Sequence, residues 1–269
     1  IRCFHEKGMS AIGVEPASKI AKKVQNSGVN VLNTFFSKAL AIEIREEYGQ
    51  ASIISANNVM ANVEDLGDFA EGLRELLAPD GIFTFESGYL VDLVRNRVID
   101  NVYHEHLCYF RLNPLVTYFK RYGLEVIDVQ HSLMKGGSLR GTVQRSGGSR
   151  SVSPTVADRM SWETSLGYDR ARVYEELASR MEFVKKQLFT LLCNLKEQGT
   201  TIAGYGASVG VTTLLYYFGL SEILETLFDE NPIKHNLYSP GHHIPVVSSE
   251  EIYNINPDYI VLLPWRYAE

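Results

Sequence analysis

The fold is decided by the stretch Ser10-Ala11-Ile12-Gly13-Val14-Glu15-Pro16, a short apolar run that ends in an acid and a proline. Such a run is typical of a buried strand, and a helical pattern over residues 18–27 follows it directly. The alternation continues with strands at 29–33, 51–56 and 82–86 and with helices at 39–48 and 65–77. Strands separated by helices predict a parallel, doubly wound α/β sheet.

Farther along, the pattern changes from alternation to adjacent strands. Residues 124–129 and 139–144 are rich in β-formers and are joined through Gly136-Gly137. This spacing predicts an antiparallel pair that closes the sheet. Pro79-Asp80-Gly81, ahead of the strand at 82–86, predicts a turn.

A second, shorter α/β unit follows a stretch rich in Gly and Ser at 146–154. We place a domain boundary there, which gives domains at 1–150 and 151–269. The pattern predicts a long helix at 168–198 that bridges to the second unit. That unit then contains a strand that begins near 201, a helix at 211–218 and strands near 224–228 and 259–263.

Composition narrows the classes of protein. Of the 269 residues 45% are hydrophobic, and the net charge is −6 without a basic block, so nucleic acid is not an expected partner. No apolar run reaches the roughly 18 residues that span a membrane. Three scattered cysteines indicate a reduced, cytoplasmic protein without disulfides. Because the chain opens inside a helical pattern without Met, we expect a preceding strand and its glycine-rich loop to be missing.

Residues at the ends of three predicted strands suit a nucleoside-type cofactor, because ligands of doubly wound sheets bind beyond the carboxyl ends of strands. Glu15 suits the two hydroxyls of a ribose, with a solvated loop acid as the alternative. The rings of Phe35 and Phe36 suit an adenine sandwich, with core packing as the alternative. Asn57 and Asn58 suit a polar arm of the cofactor or the cap of a turn.

The densest group of chemically active side chains is Tyr103-His104-Glu105-His106. Histidine exchanges protons near neutral pH, so the cluster favours general acid/base catalysis. Side chains alternate along an extended segment, which would place His104 and His106 on one face. A zinc site is an alternative, but the spacing is not that of a helical His-Glu-x-x-His motif and no third ligand stands near. A structural polar cluster is the remaining alternative.

Seven short motifs occur in a fixed order. They are Val14-Glu15-Pro16-Ala17, Asn58-Val59-Met60-Ala61, Pro79-Asp80-Gly81, Tyr103-His104-Glu105-His106, Gly136-Gly137-Ser138-Leu139-Arg140, Gly204-Tyr205-Gly206-Ala207 and Pro240-Gly241-His242-His243-Ile244-Pro245-Val246. In this combination the chain resembles the S-adenosylmethionine-dependent C-methyltransferases that act on nucleotide-linked keto-sugars. The resemblance covers essentially the whole chain, and its specificity lies in the ordered combination, since no single motif is specific.

The resemblance implies a fold and a set of ligands. The fold is a Rossmann-like class I methyltransferase domain, here without its first strand, followed by a smaller Rossmann-like α/β domain that helps to hold the nucleotide-sugar. The implied cofactor is S-adenosylmethionine, and the implied substrate is a keto-deoxysugar carried on a nucleotide diphosphate. Zinc is implied only for a cysteine-rich N-terminal region of the family, and nothing of that region is present in these residues.

The resemblance also assigns roles within the cluster. His106 is implied as the base that removes a proton from the carbon beside the keto group, and the resulting enolate attacks the methyl group of the cofactor. Tyr103, His104 and Glu105 are implied to position the base or to hydrogen-bond sugar oxygens.

Two residues depart from the family pattern. Asn62 stands where a histidine is frequent, and an amide can hydrogen-bond a keto oxygen but cannot take its proton. Lys135 stands before the Gly-Gly-Ser-Leu-Arg motif, again in place of a histidine. Its cation suits an enolate or a phosphate, and a solvated surface lysine is the alternative. A non-catalytic sugar-nucleotide binding protein is therefore one rival function.

The second unit offers a further rival. Gly204-Tyr205-Gly206 between a strand and a helix, with Asp229 after the next strand, invites an NAD(P)-dependent oxidoreductase, although the third glycine of that motif is absent. The resemblance instead implies a place for the nucleotide-sugar. The residues expected to contact that substrate are Asn62, Lys135, Tyr205, Ser208, Lys234 and Arg266.

Overall fold

The computed structural model describes residues 1–264, which form a mixed α/β protein with two separate hydrophobic cores. The elements of the first half are α1 (Arg2–Glu6), β1 (Ile12–Val14), α2 (Ser18–Gln25), β2 (Asn30–Leu32), α3 (Lys38–Tyr48), β3 (Ala51–Asn57), α4 (Leu66–Leu76), β4 (Leu77–Gly88), α5 (Leu90–Asn96), α6 (Leu112–Arg121), β5 (Leu124–Ser132) and β6 (Ser138–Arg145). Those of the second half are α7 (Pro154–Ser165), α8 (Ala171–Glu197), β7 (Ile202–Tyr205), α9 (Val209–Phe218), β8 (Leu227–Asp229), β9 (Leu237–Tyr238), β10 (Pro245–Ser248), α10 (Ile252–Ile255) and β11 (Tyr259–Leu262).

The first half forms one sheet of order β3-β4-β6-β5 and a separate parallel pair, β1-β2. Strands β3 and β4 are parallel, whereas β6 runs antiparallel to both of its neighbours. The predicted alternation and the predicted antiparallel pair are therefore confirmed. Within residues 1–264 no backbone ladder joins β1 to β3, and the two pieces are instead linked by apolar side chains of α3, such as Ala41 and Ile44.

The turn predicted at Pro79-Asp80-Gly81 does not end a strand. Leu77 pairs with Ala51 and Ile82 pairs with Ile53, so residues 78–81 bulge out of β4 opposite one residue of β3. Proline has no N–H to give to the ladder, and a bulge accommodates it. A Cβ at Gly81 would lie 2.7 Å from the Ala51 carbonyl oxygen, so this crossing requires glycine. The prediction was wrong because turn-forming residues also suit a bulge.

Helix α7 was not predicted from the sequence, although its start carries clear signals. Ser153 caps it by accepting from the Thr155 N–H, and Pro154 occupies the first turn. Val156 and Trp162 of this helix pack on the core of the first sheet. The division of the chain at residue 150 stays a prediction, and the structure shows that the helix beyond it packs on the first core.

Glu163 is completely buried, and its side chain connects α7 to Tyr89 and to the start of α6. Its carboxylate accepts hydrogen bonds from the Tyr89 hydroxyl at 2.8 Å, from the Leu112 N–H at 2.6 Å and from the Asn113 N–H at 3.1 Å. The last two are free N–H groups at the start of α6, where a helix favours negative charge. Glu163 therefore caps a helix that lies some 50 residues before it in the chain.

The second half forms a sheet of order β11-β7-β8-β10-β9. Strands β11, β7, β8 and β10 are parallel, and the edge strand β9 is antiparallel. Because β7 comes first in the chain and has β8 on one side and β11 on the other, the strand order reverses at its carboxyl end. Such a reversal opens a crevice that suits ligands. The second α/β unit is thus confirmed, although the predicted strand near 224–228 begins at Leu227.

Long helix α8 is amphipathic, and its residues contact both cores. Val173 and Tyr174 pack on the first core, whereas Leu177 and Met181 pack on the second. Of the helices in residues 1–264, none combines the length and apolar character that crossing a membrane requires.

We expect Glu163→Ala to lower the free energy of unfolding by about 3–5 kcal/mol, because it leaves several buried donors without an acceptor. Urea unfolding followed by circular dichroism would measure the change. Glu176→Ala is the matched control, since Glu176 forms only an exposed pair with Arg172 and should cost about 0.5 kcal/mol or less. Equal losses in both variants would contradict a structural role for the buried carboxylate.

Candidate active site

His106 is held by hydrogen bonds at both ring nitrogens. Its Nδ1 lies 2.7 Å from the Asn101 carbonyl oxygen, and its Nε2 lies 3.0 Å from the Tyr103 hydroxyl. The rings of Tyr103 and His106 are close, with centroids 4.1 Å apart. The imidazole is therefore fixed in position and orientation.

These contacts determine the tautomer of neutral His106. A backbone carbonyl can only accept, so Nδ1 must carry the proton. Nε2 is then the unprotonated nitrogen, and the Tyr103 hydroxyl donates to it. In this tautomer the Nε2 lone pair is directed at the Tyr103 hydroxyl and the Nδ1–H at the Asn101 carbonyl.

The sequence predicts His104 and His106 on one face of an extended segment, and the extended conformation is wrong. Residues 103–106 form a turn, closed by a hydrogen bond from the His106 N–H to the Tyr103 carbonyl, and are not extended. The alternation of side chains therefore does not apply, and Tyr103 is the hydrogen-bond partner of the His106 ring. His104 and Glu105 are exposed at the rim of the turn.

A small cavity of about 20 Å³, room for one water molecule, lies beside His106. Its lining includes Asn101, Tyr109 and Ser87, whose hydroxyl is buried and has no hydrogen-bond partner within the described residues. Burial raises the pKa of the Tyr109 hydroxyl, which therefore stays protonated at neutral pH. Sequence reasoning missed Ser87, Asn101 and Tyr109, because a carbonyl and two isolated hydroxyls leave no pattern.

Asn62 and Lys135, the two departures from the family pattern, both lie next to the segment 99–111. This segment carries His106, and we call it the base segment. Asn62 is exposed at the end of a 3-10 turn, and the adjacent Ala61 carbonyl accepts from the Leu107 N–H at 2.7 Å. Lys135 is exposed, and its carbonyl accepts from the Asn101 side chain at 3.5 Å. The structure thus brings the segments of Asn62 and Lys135 to the same part of the molecule as His106.

Glu15 lies at the carboxyl end of β1, as predicted. One carboxylate oxygen accepts from the Ala17 N–H at 2.8 Å, and the other accepts no hydrogen bond within residues 1–264. Asn33, which the sequence reading passed over, donates to the Glu15 and Pro16 carbonyl oxygens at 2.8 and 2.9 Å. It fastens the loop after β1 to the loop after β2 and leaves the Glu15 carboxylate available to a ligand.

Of the two rings predicted to sandwich an adenine, that of Phe35 is exposed and that of Phe36 is packed against the core. Phe36 packs into the core, edge-on against Phe69 with centroids 5.5 Å apart, because it faces α4. Phe35 is 76% exposed and is the available ring. Asn57 and Asn58 are both exposed at the end of β3, and Asn58 has a left-handed backbone with φ 55°.

The crevice of the second sheet has a volume of about 460 Å³. Its lining residues come from the ends of β7, β8 and β11 and from the start of α9, and they are Tyr205, Gly206, Ala207, Ser208, Asp229, Glu230, Leu262 and Pro264. This places Tyr205 and Ser208, two of the predicted substrate contacts, in one cavity. Tyr205 donates to Glu230 at 2.8 Å, and the Ser208 side chain makes no cap contact at the start of α9.

Asp229 is fully engaged by protein groups. Its carboxylate accepts from the Ala207 N–H at 2.7 Å, from the Asn231 N–H at 2.9 Å and from the Lys234 ammonium at 3.0 Å. Burial works to raise its pKa, but these hydrogen bonds hold the pKa below the ordinary value. An acid committed in this way is not available to a ribose, which removes the main support for a dinucleotide. Lys234 is likewise paired with Asp229, and Arg266 lies outside the described residues.

Among residues 1–264, no group of three His, Cys, Asp or Glu side chains is arranged to hold a metal ion. His106 uses both nitrogens in hydrogen bonds to protein groups.

Comparison with known families matches both halves of the chain. Residues 133–269 match the family described as C-methyltransferase C-terminal domain, and residues 1–129 match the one described as methyltransferase domain. The chain is 34% identical over all its 269 residues to the C-methyltransferase NovU of Streptomyces niveus. It spans 64% of the length of that relative.

Comparison with solved structures matches methyltransferases at low identity. The CcbJ methyltransferase of Streptomyces caelestis is 12% identical, with a TM-score of 0.41 over 53% of this chain and 77% of its own. The magnesium protoporphyrin IX methyltransferase of Synechocystis, solved with bound SAH, is 12% identical, with a TM-score of 0.40 over 52% of this chain and 66% of its own.

The low pKa of Asp229 predicts a pH-dependent contribution to stability. Its ionised form is favoured in the folded state, so the contribution is present above the unfolded pKa near 3.9 and is lost as the pH falls through the lower, folded value. We expect Asp229→Asn to lower the free energy of unfolding at pH 7 by about 1–2 kcal/mol, with a smaller difference in acid. Urea unfolding across pH 2–7 would measure it. Glu230→Gln, at the neighbouring position, is the control, and an equal pH-independent loss in both variants would contradict the prediction.

Proposed function

Because the chain belongs to the C-methyltransferase family, we propose that the protein transfers a methyl group from S-adenosylmethionine to carbon in a keto-deoxysugar linked to a nucleotide diphosphate. The observation that carries the proposal is His106, whose Nδ1 lies 2.7 Å from the Asn101 carbonyl oxygen and whose Nε2 lies 3.0 Å from the Tyr103 hydroxyl. Carbon beside a keto group becomes nucleophilic only after a proton is removed, and this geometry provides the base.

The strand-end residues of the first sheet fit an adenosyl group. The free oxygen of Glu15 suits a ribose hydroxyl, the exposed ring of Phe35 suits one face of an adenine, and the Asn57 and Asn58 amides suit its polar atoms. All four side chains stand at carboxyl ends of parallel strands, where such ligands bind. When bound, S-adenosylmethionine supplies an electrophilic methyl group on a sulfonium.

Each residue of the turn 103–106 is proposed to have a different role toward the substrate. His106 Nε2 accepts the proton from the substrate carbon beside the keto group. The Asn101 carbonyl then accepts a hydrogen bond from the Nδ1–H of the imidazolium that forms. The Tyr103 hydroxyl, which donates to Nε2 in this structure, is proposed to hydrogen-bond the keto oxygen and to stabilise the enolate once Nε2 is protonated. His104 and Glu105, exposed beside it, hydrogen-bond sugar hydroxyls.

The nucleotide part of the substrate is proposed to use the second crevice. Its volume of about 460 Å³ suits a nucleoside, and the Ser208 hydroxyl and the free N–H groups at the start of α9 suit a phosphate. Asn62 and Lys135 lie next to the base segment, and we propose that they contact the keto group or the diphosphate. Lys234 acts in this proposal by holding Asp229 and thereby the shape of the crevice.

The whole proposal is tested with the full-length protein, methyl-labelled S-adenosylmethionine and keto-sugar nucleotides. We expect label on carbon, and His106→Gln should reduce turnover by about 10²–10⁴-fold, the usual contribution of general acid–base catalysis. Binding of S-adenosylhomocysteine should stay unchanged. His5→Gln, an exposed histidine on α1, is the control. Label on oxygen or nitrogen, or full turnover by His106→Gln, would overturn the assignment.

The cofactor site makes a separate prediction. Glu15→Gln should weaken binding of S-adenosylmethionine by about tenfold, because a charged acceptor for ribose hydroxyls becomes a weaker neutral one. Turnover at saturating cofactor should change little. Isothermal titration calorimetry would measure the affinity, with Glu47→Gln, an exposed acid of α3, as the control. An unchanged affinity in Glu15→Gln would remove this residue from the site.

A further inference from the structure

The segment that leads to His106 packs on the second half of the molecule. A 3-10 turn, Ile99–Asn101, stands at its start. Ile99 contributes its side chain to the hydrophobic core of the second sheet and not to that of the first. The base segment joins two helices of the first half, α5 and α6, but its start packs on the core of the second sheet.

Helix α9 contacts this turn at two further points. At Gly210 the helix approaches the Asp100 carbonyl so closely that a Cβ would overlap its oxygen. One turn later the Thr213 hydroxyl donates to the Val102 carbonyl oxygen at 2.5 Å. Two backbone groups of the base segment are thus fixed by residues at i and i+3 on one face of α9.

The residue between these two anchors is Asn101, whose carbonyl holds the Nδ1–H of His106. We propose that α9 positions the base of the reaction, with Gly210 and Thr213 as positioning residues. They fix Asp100 and Val102, and thereby the direction of the Asn101 carbonyl, which selects the tautomer of His106. Neither residue touches the reacting atoms.

The proposal gives the second half a role in the chemistry as well as in binding. Ser208, the N-cap of helix α9, lies in the crevice, and the helix contacts the base segment at Gly210 and Thr213. One helix therefore contacts both the proposed nucleotide site and the support of the base. This inference rests on the proposed function for its consequence in turnover, but the geometry of His106 can be measured without it.

The test replaces Thr213 by Val, which keeps the branched shape and removes the hydroxyl. Nitrogen-15 NMR of the full-length protein at pH 8 would report which ring nitrogen of His106 carries the proton. The His106 signal is assigned by its loss in His106→Gln. We expect wild-type protein to show the Nδ1–H form and Thr213→Val to gain the Nε2–H form. We also expect kcat to fall by about three- to tenfold, with an unchanged KM for S-adenosylmethionine.

Thr212→Val is the matched control, since Thr212 is the neighbouring, half-buried threonine and makes no hydrogen bond to the base segment. Gly210→Ala should shift the tautomer further because its Cβ displaces the Asp100 carbonyl. If both Thr213→Val and Gly210→Ala keep the wild-type tautomer, the inference is overturned. If the tautomer shifts in these variants while no methyl transfer is found in any form, the positioning role stands and the proposed function fails.

Discussion

The hydrogen bond between His106 Nδ1 and the Asn101 carbonyl is the interaction on which the candidate site depends. A carbonyl has no proton to give, so it fixes the tautomer of the ring without depending on any side chain. The direction of the Asn101 carbonyl, however, depends on the backbone conformation, and this part of the backbone belongs to an irregular segment. Such a segment keeps one conformation only when the surrounding structure holds it.

That support comes from three directions. Helix α9 holds the start of the segment at Asp100 and Val102. The Ala61 carbonyl holds its middle through the Leu107 N–H. Glu163 holds its end, because its buried carboxylate caps the first turn of α6 at Leu112. The base segment is therefore clamped by both halves of the chain, which explains how a loop can carry a side chain that needs a defined orientation.

Two acids at strand ends show how identical sequence signals acquire different roles. Glu15 keeps one oxygen free because Asn33 fastens the adjacent loops through backbone carbonyls and leaves the carboxylate alone. In Asp229, one carboxylate oxygen accepts from the Ala207 N–H and from Lys234, and the other accepts from the Asn231 N–H. The first acid suits a ligand, whereas the second shapes a crevice.

The sequence by itself determined the alternation of strands and helices and the antiparallel pair β5-β6, and it singled out Tyr103-His104-Glu105-His106 as a candidate cluster, because periodicity and residue type are local properties. It also placed Glu15, Asn57 and Asn58 at strand ends. Only the tertiary structure decided that the cluster forms a turn, that Tyr103 and not His104 is the partner of His106, and that Phe36 belongs to the core. Asn101, Glu163, Gly210 and Thr213 act through contacts between residues far apart in the chain, often through backbone groups that every residue shares. No pattern along a sequence can show which carbonyl will face which ring, since that is settled by how the two cores pack against the segment between them.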